Sequence, residues 1–212
     1  MTGMIVTARH GRPDVDRSVR ITAREYGPWW ANYDRAGLAP GETPPQGLID
    51  IASGAELVLS STLPRAIETA QKVVQGAREV PKDALFVEAP LPPPPVPSIF
   101  KLTPTTWGVI SRIFWFCGFA PKGVESHWGA QKRVREATDR LITEAQGGGD
   151  VLLCAHGYFN WMVHRHIIKR GWELVEHQGG NHYWSYRAYK KRGSEAIRSP
   201  KPRPSTEGLA AP

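Results

Sequence analysis

Three apolar stretches, each ending in histidine, arginine or serine at its carboxyl end, constrain this chain more than any other feature. Ile5-Val6-Thr7-Ala8 leads into Arg9-His10-Gly11. Val58-Leu59 leads into Ser60-Ser61-Thr62-Leu63-Pro64-Arg65. Val151–Ala155 leads into His156-Gly157. Each stretch has the length and composition of a buried strand, and segments with helical spacing separate them. Strands alternating with helices predict an α/β fold, a three-layer α/β/α sandwich with a mostly parallel central sheet. In such sheets ligands bind off the carboxyl ends of the strands, so neighbouring placement would gather two imidazoles and two guanidinium groups at one site.

The finer pattern predicts a helix over 21–36, broken near Gly27-Pro28, and a helical turn at Leu48–Ala52 before a strand at Glu56–Ser60. Ser61-Thr62 offers an N-cap, with Pro64 in the first turn of a helix continuing over Arg65–Gly76. Leu85–Val87 reads as a short strand and Pro90–Pro97 as extended chain. Further helices are expected at Thr106–Phe119, Ser126–Ala145 and Tyr158–Arg170. Val151–Ala155, Trp172–Val175 and Tyr183–Tyr189 supply further strands. Residues 1–189 thus form one domain, with about 89–128 as an inserted, cap-like segment. Residues 190–212 carry six cations against two acids in a Pro- and Ser-rich tail expected not to fold.

That tail holds more than half of the net charge of +7, which weakens a nucleic-acid reading. No apolar run reaches the roughly 18 residues of a membrane span, and the run after Met4 is too short for a signal peptide. Cys117 and Cys154 lack metal-ligand spacing and read as two buried thiols of a cytoplasmic protein. No cofactor or metal is expected. His164 and His166, two apart on a helix, point to different faces and cannot readily share a metal.

The Arg9-His10-Gly11 triplet, the Ser60–Ala70 segment and Ala155-His156-Gly157, in this order, resemble the histidine phosphatase superfamily (phosphoglycerate mutase-like), over roughly Met4 to Tyr189. The resemblance implies a metal-independent phosphatase acting on a small phosphorylated substrate. His10 would be the nucleophile that carries the phosphoryl group, with Arg9 and Arg65 clamping its oxygens and His156 donating to them. Glu88 matches the position of the acid that protonates the leaving alkoxide, although Ala89 and prolines follow it where the family commonly has a Gly-aromatic motif. Gly11, Arg12, Ser61 and Gly157 complete the candidate substrate-binding set, with a surface ion pair the competing reading for Arg12. Phosphoglycerate mutase chemistry, a protein phosphohistidine phosphatase and a non-catalytic phosphate-binding protein remain the alternatives.

Two further features stay open in the sequence. The proline run reads as a stiff wall beside Glu88, or as a P-x-x-P ligand. The eight tryptophans read as core or as a homodimer contact, or else as an apolar lid over an aromatic leaving group.

Overall fold

The computed structural model describes residues 2–193. The chain runs through β1 (Ile5–Arg9), α1 (Ala23–Arg35), α2 (Gln46–Gly54), β2 (Leu57–Ser61), α3 (Pro64–Val74) and β3 (Lys82–Asp83). A 3₁₀ turn (Ala84–Phe86) follows, then α4 (Pro104–Phe116), α5 (His127–Gln146), β4 (Val151–Ala155), α6 (Gly157–Lys169), β5 (Trp172–Gln178) and β6 (Tyr186–Lys191). The strand order is β3-β2-β4-β1-β6-β5. The first four are mutually parallel, while β6 runs antiparallel to β1 and β5 antiparallel to β6. Arg9 lies in register with Ala155, and Ser60 with Cys154. The three polar strand ends therefore lie side by side.

Alternation along the strands builds the layers. Val151, Leu153 and Ala155 face one side with Ile5 and Leu59, packing on Leu141, Phe159 and Met162 of α5 and α6. Leu152 and Cys154 face the other with Val6 and Val58, packing on Leu48, Ala52 and Val73 of α2 and α3. The result is the three-layer sandwich the sequence predicts. A third, smaller cluster joins α1 to the inserted segment, with Tyr26, Ala23 and Trp107 at its centre.

Several local expectations are corrected. Helix α1 is unbroken through Gly27-Pro28. Its start is fixed by a capping box, in which Thr22 Oγ1 accepts from the Glu25 N–H and the Glu25 carboxylate accepts from the Thr22 N–H. Pro28 removes one backbone donor, but the residue four back, Arg24, is exposed and its carbonyl can be hydrated. The stacked rings of Trp29, Trp30 and Tyr33 hold the helix beyond it. Residues 85–87 do not form a strand, because Asp83 Oδ1 accepts from the Leu85 N–H at 2.8 Å and curls the chain into the 3₁₀ turn. Helix α3 begins after Leu63 with no side-chain cap, and Ser61 is used elsewhere. Strand β6 reaches Lys191, two residues into the expected tail, and the rest of that tail beyond 193 lies outside the described residues. Cys117 is exposed; only Cys154 is buried, and burial pushes its thiol up to about 12.

Candidate active site

The carboxyl ends of β1, β2 and β4 open onto a cleft of about 430 Å³. Arg9, His10, Arg65, Glu88 and Gly157 line it, so most of the residues singled out in the sequence meet at one place. The His10 and His156 ring centroids are 5.3 Å apart in an edge-to-face arrangement, about the width of a phosphate. His156 is fully buried behind the cleft wall, while His10 reaches it with 3% of its surface exposed.

The hydrogen bonds fix how the imidazoles present themselves. His10 Nδ1 lies 2.7 Å from the Gly11 carbonyl. A carbonyl only accepts, so Nδ1 carries the proton and Nε2 keeps its lone pair. Burial, followed by the charge of Arg65, holds His10 well below the usual histidine range. The ring is therefore neutral and nucleophilic at ordinary pH. His156 Nε2 lies 2.8 Å from Ser61 Oγ. Ser61 also accepts a long bond from the Leu63 N–H and can either donate to Nε2 or accept from it; when it donates, the ring proton sits on Nδ1. That Nδ1 is buried with no partner. Burial and Arg65 keep His156 neutral too.

The guanidinium groups are held from behind. Arg65, 1% exposed, donates through Nη1 to the Tyr33 carbonyl at 3.0 Å and through Nη2 to Asp34 at 3.1 Å. Arg9 donates to the Asn181 carbonyl and lies over the Tyr183 ring. In both residues Nε is buried and unpartnered. Buried donors without acceptors are costly and rare, and here three of them, with that of Arg17, belong to arginines on the wall of one cleft. An oxyanion would satisfy them.

Glu88 is tied to the start of α6. Its carboxylate accepts from the Ala89 N–H at 2.9 Å, the Tyr158 N–H at 3.2 Å and the Phe159 N–H at 2.9 Å. The helix that follows His156 thus positions the candidate acid. Gly157 leaves room for Arg9, because a Cβ there would sit 3.1 Å from Arg9 Nε.

Three expected substrate contacts are displaced from the cleft wall. Arg12 is 59% exposed, pairs with Glu42 at 3.2 Å and is not among the residues that line the cleft. Gly11 makes room for Trp184, whose ring would lie 2.4 Å from an added Cβ, and its N–H donates to Thr69. Ser61 is fully buried and serves His156.

The cleft also holds residues that sequence reasoning passed over. Arg17 donates to the Tyr183 hydroxyl at 2.8 Å and to Thr105, with its Nε unpartnered. Asn160 is anchored to the Ala8 carbonyl at 3.0 Å, and its Oδ1 is free. Arg112 and Tyr158 complete much of the outer wall, together with Trp30, one of the tryptophans that read in the sequence as core or as a lid. Neither Arg17 nor Arg112 follows a strand, so the pattern that revealed Arg9 and Arg65 could not reveal them. Asn160, four residues after His156, was findable as a polar residue one helical turn on. Among the described residues, no cluster of His, Cys, Asp or Glu is arranged to hold a metal ion. No helix there is long and apolar enough to cross a membrane.

Fold and cleft together define the class: an α/β phosphatase-type enzyme with its site at adjoining strand ends. The sequence model of the histidine phosphatase superfamily (branch 1) matches residues 51–198, more than half of the chain. The chain belongs to that superfamily and is a phosphoric monoester hydrolase. The match spans Arg65 and His156 but not Arg9 or His10, whose membership of the site rests on the geometry above.

Solved structures share the fold. A mycobacterial glucosyl-3-phosphoglycerate phosphatase complexed with VO3 superposes with a TM-score of 0.55 at 20% identity, covering 88% of this chain and 92% of that one. A protein described as mycobacterial hydrolase 1 gives 0.53 at 20% identity, over 92% and 100%. A phosphoserine phosphatase from Entamoeba histolytica, in complex with phosphoserine, gives 0.50 at 17%, over 79% and 80%. Comparison with curated protein sequences finds no match.

Proposed function

We propose that the protein hydrolyses a small phosphomonoester in two steps, through a phosphohistidine on His10. The observation that carries this reading is a neutral imidazole with its Nε2 lone pair free, set among arginines whose Nε–H groups lack acceptors. His10 Nε2 attacks phosphorus, and the P–O bond to the leaving group breaks. Arg9 and Arg65 neutralise charge on the non-bridging oxygens, and His156 donates to them from Nδ1. Glu88 is the carboxyl at the cleft, and it passes a proton to the leaving alkoxide. In the second step Glu88 takes a proton from water, which attacks phosphorus and frees His10. The two unpaired cysteines fit a reducing, cytoplasmic setting.

The test is turnover of p-nitrophenyl phosphate in the presence of a chelator, with His10→Ala alongside. Chelator-insensitive turnover that falls by several powers of ten in the variant supports the reading. Acid-labile phosphate trapped on the wild-type chain and absent from the variant identifies the intermediate. Phosphoryl exchange between phosphoglycerates points instead to a mutase, and binding of phosphate without turnover to a non-catalytic relative.

A further inference from the structure

Beside the cleft lies a second chamber, of about 330 Å³. Trp30, Glu88 and Leu91 lie on the walls of both, so the two spaces adjoin at the candidate proton donor. The leaving-group oxygen has to lie next to that donor, and the rest of the leaving group continues from there. The chamber's walls are apolar: Trp30 and Ala31 of α1, Leu63, the proline run with Leu91, and Val124. Its charged lining residues are Asp34 and Glu88, both acidic, and no arginine or lysine faces it. The wall is built in place. Ser111 of α4 donates to the Pro92 carbonyl at 2.7 Å, and Arg112 donates to the carbonyls of Pro90 and Ala89. On the other side, α1 approaches so closely that a Cβ on Gly27 would lie 2.9 Å from Pro93 Cγ.

From this we infer that the substrate's leaving group is an uncharged, apolar alcohol, aryl or alkyl, seated between α1 and the proline run. The inference rests on the phosphatase reading above and names its substrate class. A leaving group bearing a carboxylate would find no cation among the lining residues to pair with, and would lose its hydration in an apolar space. An apolar group gains from the same walls with each methylene it buries. The proline run thereby finds a use as a rigid specificity wall.

Two esters of similar leaving-group basicity separate the possibilities: 4-ethylphenyl phosphate and 4-carboxyphenyl phosphate. The expected kcat/KM ratio favours the ethyl compound by roughly tenfold or more. Ala31→Phe, at an exposed helical position, fills the chamber and brings the ratio towards one. Val124→Lys supplies the missing cation and turns the preference towards the carboxylate. A wild-type ratio near one, or a ratio that neither variant moves, overturns the inference while leaving the phosphatase reading intact. Silence towards both esters overturns that reading and this one together.

Discussion

Lowering the pH from 7.5 to 5.5 should cost this fold on the order of 3 kcal/mol through two side chains alone. His10 and His156 are buried beside each other and beside Arg65, and both are held well below the histidine value of 6.5. In the unfolded chain each imidazole takes up a proton as the pH falls through 6.5; in the folded chain it stays neutral. The unfolded state then binds more protons, so stability decreases as pH falls. With an unfolded value of 6.5, protonation stabilises the unfolded chain by less than about 1 kcal/mol per histidine at pH 6.5 and by roughly 1–2 kcal/mol at pH 5.5. Two such groups give the total, a large share of the roughly 5–15 kcal/mol typical of a domain. His127, His164 and His166 shift the same way but are far less buried and add little. Asp34, whose carboxyl is pushed up by burial, works in the opposite sense. Urea titrations at pH 7.5, 6.5 and 5.5 measure the effect. His10→Gln and His156→Gln should each remove about half of the pH slope, whatever their own stability. Stability that is flat across the window, or a slope that neither variant changes, refutes the claim that these rings are neutral in the fold.

Three other outcomes follow from the site. Glu88→Gln should lower kcat on an alkyl phosphate by about 10²-fold or more while hardly changing that on p-nitrophenyl phosphate, as measured by steady-state rates. Arg12→Ala should leave kcat/KM within about threefold and stability within about 0.5 kcal/mol, because the Arg12 side chain is mostly exposed and Glu42 keeps its bonds from the backbone N–H of residue 12 and from Trp184. Gly11→Ala should force the Trp184 ring aside, visible as a change in tryptophan fluorescence, and destabilise the fold by about 1–3 kcal/mol in denaturant titration.

What the sequence revealed, and what it hid, divides along physical lines. Strands buried on both faces are near-continuous apolar runs, so β1, β2 and β4 were readable, as was the meeting of their polar ends. The start of the helix expected over Ser126–Ala145 was readable because Ser126 fixes it locally, by accepting from the Gly129 N–H. Features set by distant contacts were not readable. Proline inside α1 reads as a break until the ring stack around Trp30 and Tyr33 is known. Residues 85–87 are apolar and strand-like, yet one aspartate hydrogen bond redirects them. Gly11 and Ser61 look like ligand contacts in a motif, but their neighbours Trp184 and His156 come from far along the chain. Arg17 and Arg112 enter the cleft from irregular chain and from the inserted segment, where no periodicity marks which cation turns inward.

The placement of β4 between β1 and β2 has a consequence in time as well as in space. Strands β1 and β2 do not touch each other; each pairs with residues 151–155, and the Met4 N–H donates to Asp150 across 146 positions. A ribosome that has released only the first half of the chain has therefore delivered two flanks and no keel. His10 and Arg65 can come together only after the last third emerges, so assembly depends on closing long loops and belongs with slow-folding topologies.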